Sequence, residues 1–279
     1  MVTQRVLITG GAGQVATLLR PRLVRPGRVL RLLDVRPPAE HPPTGGTAAP
    51  AEEIVSGSVT DLDAMVEACR DVDAIVHLGG QSREAGVEEV LRLNAYGTYC
   101  VLEAARRAGV RRVVLASSNH AAGFQGRDLA PDGDLPAAVP ARPDTLYGWS
   151  KVAVEAAGQL YADRFGLDVI CLRIGLWFPT PPGLRGLAMW LSPDDGARLV
   201  EACLATTGRG FRMVWGISRN TRRWWSLAEG EEIGYFPRDD AEEYAAQLVA
   251  EHGEPDFVGD PVLNRVGGQW CDVPLGESY

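Results

Sequence analysis

A short apolar run that stops at clustered glycines and restarts as a helix limits the fold of this chain more than any other feature. Val6-Leu7-Ile8-Thr9 is apolar and β-rich, and Gly10-Gly11-Ala12-Gly13-Gln14-Val15-Ala16 follows it. A helical pattern through Leu18, Leu19 and Leu23 comes next. That order predicts a strand, a tight glycine turn and a helix. Such glycines let the backbone approach a pyrophosphate closely, and the helix start offers free N–H groups and the positive end of its dipole. Gly10, Gly13, Gln14 and Val15 are therefore expected against a dinucleotide.

The next apolar strand, Val29-Leu30-Arg31-Leu32-Leu33, ends at Asp34. A carboxylate at that distance accepts from an adenosine ribose 2′-OH and repels a 2′-phosphate, which favours NAD over NADP. Residues 36–51 are rich in Pro, Gly, Ala and Thr, lack helical periodicity and are expected to be a surface loop. A strand resumes at Glu53-Ile54-Val55-Ser56, and Asp61 and Leu62 open a helix carrying Met65, Val66 and Cys69. Asp61 could cap that helix or, with Leu62, contact adenine; the sequence leaves both open.

Ala74-Ile75-Val76-His77-Leu78 is the next buried strand, and Gly79-Gly80-Gln81-Ser82 follows it. Ligands of open α/β sheets lie at the carboxyl ends of strands, so Leu78, Gly79 and Gly80 are expected along the cofactor. His77, inside an apolar strand, reads as a core histidine. A helix is expected from about Val87 to Ala108, yet it contains Asn94 and Gly97 where leucine or alanine would be more stable. Asn94 is accordingly expected near the cofactor. Arg112 to Ala116 form another strand, which ends in four polar residues, Ser117-Ser118-Asn119-His120, the expected floor of an active site. Val169 to Ile174 is a further strand ending at Gly175.

Alternating strands and helices to this point predict an α/β fold, a doubly wound parallel sheet of the Rossmann kind. Residues 1–175 are expected to be the NAD-binding domain with the reacting groups. Residues 176–279 are expected to form a smaller substrate-covering part, interleaved with the same fold. Its tryptophans, Trp190, Trp215, Trp224 and Trp225, read as lobe core or subunit contact.

Lys151 is the only lysine in a chain with 28 Lys and Arg residues, and Tyr147 stands four positions before it. At that spacing on a helix the two side chains share a face. A lysine is a compact point charge that lowers the pKa of a nearby phenol and readies it as a general base, which arginine does less well.

Composition narrows the partners. The chain has 279 residues, 46% hydrophobic and 23% charged, enough for a large core. A net charge of −8 with no long basic run argues against nucleic acid and anionic membranes and favours a small-molecule partner. Five scattered cysteines, with no C-x-x-C pair, suggest neither a disulfide framework nor a metal site. The absence of a leader-like start or a long apolar run reads as cytoplasmic.

With the glycine turn, Asp34, Ser118 and Tyr147-x-x-x-Lys151 in this order, the chain resembles the extended short-chain dehydrogenase/reductases over most of its length. Within them, His77-Leu78-Gly79-Gly80, Ser117-Ser118-Asn119-His120, Arg142-Pro143-Asp144-x-Leu146-Tyr147-Gly148, Arg173-Ile174-Gly175, Ser192-x-Asp194-Asp195 and Val214-Trp215-Gly216 are similar to the NAD-dependent uronate dehydrogenases. The resemblance implies oxidation of D-galacturonate or D-glucuronate at C1 to an aldarolactone, with NAD taking the hydride. It implies Tyr147 as base, Ser118 on the reacting oxygen, and Lys151 on the nicotinamide ribose while tuning Tyr147. Trp177 would line the cofactor. Ser82, Asn119 and His120 would hold sugar hydroxyls, and Arg185 would pair with the C6 carboxylate, a suitable task for a planar guanidinium. A homo-oligomer is a further implication.

Ala16 replaces the third glycine of the family's first turn, and Leu176-Trp177 stand where the family has serine and cysteine. The missing serine predicts one hydrogen bond fewer to the sugar. Two alternatives follow: a related dehydrogenase or epimerase acting on another sugar or nucleotide sugar, and a non-catalytic dinucleotide sensor.

Overall fold

The computed structural model describes residues 4–39, 52–130 and 133–277. Residues 40–51 of the expected surface loop lie outside them.

Nine strands are found among the described residues, in chain order β1 (Gln4–Thr9), β2 (Arg28–Asp34), β3 (Glu52–Ser56), β4 (Ala74–His77), β5 (Arg112–Ser118), β6 (Asp168–Ile174), β7 (Leu176–Trp177), β8 (Trp190–Leu191) and β9 (Phe211–Gly216). Seven make one sheet in the order β3-β2-β1-β4-β5-β6-β9. Every pairing in it is parallel. The near-continuous apolar character of β1, β4 and β5 follows from this arrangement, because a parallel sheet is covered by helices on both faces.

One face carries α2 (Leu62–Ala68), α4 (Gly97–Ala108) and α5 (Leu146–Phe165), whose apolar residues join Leu7, Ile75, Val113 and Val169 in one core. The other face carries α1 (Gln14–Leu23) and α7 (Pro193–Ala205), packed over Val6, Ile8, Val114 and Ile170. The period-two alternation of the strands thus fills both cores. Ala16 is fully buried in the second core, where its methyl group is accommodated between helix and sheet.

β1 is flanked by β2 on one side and β4 on the other, so the chain winds outward in opposite directions from that point. A crevice opens there, at the carboxyl ends of the strands.

The region beyond residue 176 contributes α7 and β9 to the main layers and also builds a third core of Ala188, Met189, Trp215, Trp224 and Trp225. Trp190 packs in a fourth core with Leu187, Ala241 and Leu248. All four tryptophans are buried, which accounts for their place in the sequence as lobe core. No helix among the described residues is long and apolar enough to cross a membrane.

The helix expected over 87–108 is interrupted. α3 (Val87–Val90) passes into a π-helical turn, Leu91–Tyr96, before α4 begins. The wider turn carries Asn94, and such turns are a common way of turning a side chain inward at a functional site.

Candidate active site

Two glycine turns meet at the mouth of the crevice. Gly10 has φ +69°, and a Cβ there would come within 2.9 Å of Gly79 and Leu78 backbone atoms, so the ends of β1 and β4 touch main chain to main chain. Gly13 is the N-cap of α1 and gives it no side-chain cap, while Gln14 and Val15 open the helix. All four line a cleft of about 840 Å³, near the upper part of the range for small-molecule and cofactor sites.

Asp34 ends β2 on the same rim. Its Oδ2 accepts from Ala12 N at 3.0 Å and its Oδ1 from Arg36 N at 3.1 Å, which fixes the carboxylate against the glycine turn. Leu78, Gly79 and Gly80 line the opposite rim, with Ser82 beyond them. The glycine floor, the uncapped helix start and the carboxylate suit a dinucleotide.

Four expected cofactor residues do not line this cleft. Asp61 caps α2, accepting from Ala64 N at 3.0 Å, and Leu62 packs toward the first core. Asp61 thus serves as a helix cap and Leu62 as a core contact. Asn94 accepts from Gln81 N at 2.8 Å and donates to Gln81 O at 3.0 Å and Ser150 Oγ at 2.8 Å, tying the loop after β4 to α5. Its amide organises the wall from behind. Lys151 is also behind the wall.

The reacting end is built on β5 and α5. β5 delivers Ser118, Asn119 and His120, all buried and all lining the cleft. α5 begins at Thr145, whose Oγ1 accepts from Gly148 N at 2.9 Å. Glu84, fully buried in the loop after β4, caps the same helix by accepting from Leu146 N at 3.3 Å and Tyr147 N at 2.8 Å. These caps hold the first turn of α5, and with it Tyr147, against the end of β5.

Tyr147 is buried and lines the cleft together with Ser118. Burial pushes its phenol up to about 12, against a smaller lowering from the neighbouring Ser118 hydroxyl. The expected lowering of this phenol by Lys151 is not what the geometry produces. Lys151 Nζ stands 5.5 Å from the ring centroid and donates to Ala116 O at 2.7 Å, while burial brings its own pKa down to about 8. The pair shares a helix face, and burial is the largest cause of both shifts.

At the far end, Asn119 Nδ2 donates to Val266 O at 3.0 Å, and the guanidinium of Arg185, on α6 (Gly183–Met189), donates to the same carbonyl. Arg185 Nε is buried without a hydrogen-bond partner, and burial lowers the guanidinium pKa to about 10. A cation with an unsatisfied buried donor at the wall of a cleft is suited to an anionic group. Gly268, at φ +60°, lets the chain lie flat over this side chain: a Cβ there would be 2.7 Å from Arg185 Cδ and Nε.

Leu176 and Trp177 both line the cleft from β7. The Trp177 indole lies over Gly196, where any Cβ would overlap it. At Leu176 the wall carries an isobutyl group.

The sequence did not point to Glu84, Gln269 or Trp270. Gln269 and Trp270 line the cleft, and the Trp270 ring centroid is 4.4 Å from that of His120 and 6.1 Å from that of Tyr147. They belong to the short helical turn Gly268–Asp272, which only the folded chain brings back to β5. The Gly267-Gly268 pair just before them was the available signal of a tight turn against other backbone.

A doubly wound parallel sheet with a glycine-lined crevice, an acid on β2, and serine, tyrosine and lysine at the ends of β5 and α5 defines a dinucleotide-binding oxidoreductase architecture of the Rossmann class. Comparison with known proteins agrees: the chain belongs to the NAD dependent epimerase/dehydratase family, whose sequence model matches residues 6–181. It is 41% identical over 267 residues to a uronate dehydrogenase of Pseudomonas putida, covering 96% of this chain and 95% of that one. It is 35% identical over 266 residues to an NAD-dependent glucose-6-phosphate dehydrogenase of Haloferax volcanii, covering 90% and 98%. Among solved structures it is similar to uronate dehydrogenase of Agrobacterium tumefaciens, in a tyrosine-to-alanine variant complexed with NAD, with TM-score 0.85, 36% identity and 98% coverage of both chains.

Proposed function

We propose that the protein oxidises a hexuronate, D-galacturonate or D-glucuronate, at C1 to the aldarolactone. The observation that carries this reading is the Arg185 guanidinium, buried at Nε without a partner, in the same cleft as Ser118 and Tyr147. The 41% identity to a uronate dehydrogenase supports it.

NAD, when bound, supplies the acceptor for the hydride that leaves C1. Gly10, Gly13, Gln14, Val15, Gly79 and Gly80 would hold its pyrophosphate and nicotinamide side, and Asp34 would take the adenosine ribose hydroxyls. Leu78 and Trp177, which line the same cleft, would border the cofactor. The remaining work falls to side chains of this chain. Ser118 donates to the oxygen on C1, Tyr147 in its ionised form takes the hydroxyl proton as the C–H bond breaks, and a carbonyl forms at C1. Lys151 holds the charge behind Tyr147. Asn119, His120 and Ser82 orient the ring hydroxyls, and Arg185 takes the C6 carboxylate by two parallel hydrogen bonds. Five free cysteines among the described residues agree with a reducing, cytoplasmic setting.

The test is NADH absorbance on mixing protein, NAD and either uronate, with NADP and neutral galactose as controls. Signal with NAD and a uronate alone is the expected result. Silence with both uronates overturns the substrate assignment.

A second reading follows from Leu176 and the Haloferax volcanii relative: oxidation of another sugar at C1, with Arg185 holding a phosphate. Turnover of glucose 6-phosphate without turnover of uronate in the same assay would select it.

A further inference from the structure

His120 is buried with its ring enclosed on three sides. Its Nδ1 is 2.6 Å from Asp144 Oδ2, the Tyr147 ring meets it edge-on at 5.8 Å, and the Trp270 ring lies over it at 4.4 Å. The charged groups facing it are Asp144 from the start of the α5 segment, Arg185 from α6 and Glu84 from the loop after β4.

Asp144 has no solvent-exposed side-chain surface. Its Oδ1 accepts from Thr145 Oγ1 at 2.9 Å while Oδ2 faces His120, so both oxygens are engaged. The cavity around it is cut to size: a Cβ on Gly123 or on Gly267 would overlap Oδ2. Those glycines come from the turn after β5 and from the C-terminal segment, which close over the carboxylate together. Gly267 N also donates to Gly123 O at 2.8 Å.

A carboxylate accepts hydrogen bonds and does not donate them, so its neighbour in a neutral His–Asp pair carries the proton on Nδ1. We propose that Asp144 is a positioning residue that holds His120 as its Nδ1–H tautomer, so that Nε2, on the opposite edge of the ring, acts as a hydrogen-bond acceptor for a hydroxyl of the substrate. Burial favours the neutral ring, which agrees with this arrangement. The consequence is a specificity rule: the hydroxyl that meets His120 must donate, so a sugar methylated at that oxygen is rejected even where the methyl group fits. The kinetic part of this inference rests on the function proposed above; the tautomer itself does not.

The first experiment is a long-range 1H–15N correlation spectrum of the full chain labelled with 15N-histidine at pH 7.5. Four histidines keep the spectrum sparse, and loss of one spin system in His120→Gln assigns it. The expected pattern for His120 is the Nδ1–H tautomer; an Nε2–H tautomer or an imidazolium would overturn the proposal without any variant of Asp144. The second is kinetic. Asp144→Asn is expected to lower kcat/KM for the uronate by ~10- to 100-fold, chiefly through KM, with NAD affinity unchanged. In a His120→Gln background the same substitution is expected to cost less than about twofold, because a residue acting through another has no effect once that other is gone. An equal loss in both backgrounds would mean that Asp144 acts on the fold and would sink the proposal. Silence of the wild type with both uronates would sink the function proposed above and leave the tautomer result to decide this one.

Discussion

The two ends of the cleft are made differently. The cofactor end is mostly main chain: Gly10 against Gly79, the uncapped start of α1, and a single carboxylate from Asp34 held by two amides. The sugar end is mostly side chain: Ser118, Asn119, His120, Tyr147 and Arg185, held by Val266, Glu84 and Asp144 from three distant segments. Main-chain sites tolerate changes of side chain around them, whereas a side-chain site loses a specific interaction with each substitution. Damage at the sugar end should therefore be larger, and should leave dinucleotide binding alone.

Replacing Tyr147 with Phe tests this most severely. The general-base contribution is worth ~10²- to 10⁴-fold, so kcat should fall by that factor while NAD affinity, followed by fluorescence titration, holds. Near wild-type turnover would remove Tyr147 from the mechanism.

Lys151 ranks next, through stability. Its folded pKa of about 8 lies below its ordinary value of 10.5. Between those values the unfolded chain binds the extra proton, so stability rises as pH increases through that window. The destabilisation is fully present below pH 8. Relative to Lys151→Met, the wild type should gain up to about 3 kcal/mol between pH 8 and pH 10.5. Parallel urea midpoints for the two proteins across that range would contradict it.

Arg185→Met should reduce kcat/KM for a uronate on the order of 10²-fold, by removing one partner of a buried charge pair, and should leave NAD binding unchanged. A matching loss of NAD affinity would erase the distinction between the two ends. At the cofactor end, Asp34→Ala should narrow the preference for NAD over NADP by about tenfold, the worth of a charged hydrogen bond, measured as a ratio of kcat/KM values.

The smallest effect is expected where sequence alone left the choice open. Asp61→Ala should cost about 1 kcal/mol as a lost helix cap, with no change in NAD affinity. Weaker NAD binding would reinstate the adenine contact.

Legibility followed the same division. The turn at Gly10, the acid at Asp34 and the polar run Ser118-Asn119-His120 lie within a few residues of the strands that display them, so strand patterning located them. Tyr147 and Lys151 share a helix, and their spacing put them on one face. Asn94 was noticed as a misfit in a helix, but its partners, Gln81 and Ser150, come from other segments. Its amide ties these segments together. Glu84 and Trp270 gave no local sign, because their task depends on what they meet after folding. The direction of the phenol pKa is illegible for a related reason: spacing shows that Lys151 is near Tyr147, whereas desolvation depends on everything packed around both.

The order of apolar runs, glycine turns and polar strand ends determined the doubly wound sheet and the crevice at β1 and β4, since hydrophobic periodicity and glycine conformations are local properties of a chain. Only the tertiary structure decided how the sugar end is closed, with Val266 under Asn119 and Arg185, Trp270 over His120 and Asp144 behind it. These contacts join residues more than a hundred positions apart in the cases of Val266 with Asn119 and Trp270 with His120. Nothing in the sequence near either partner encodes such a meeting; burial of the surrounding cores brings it about.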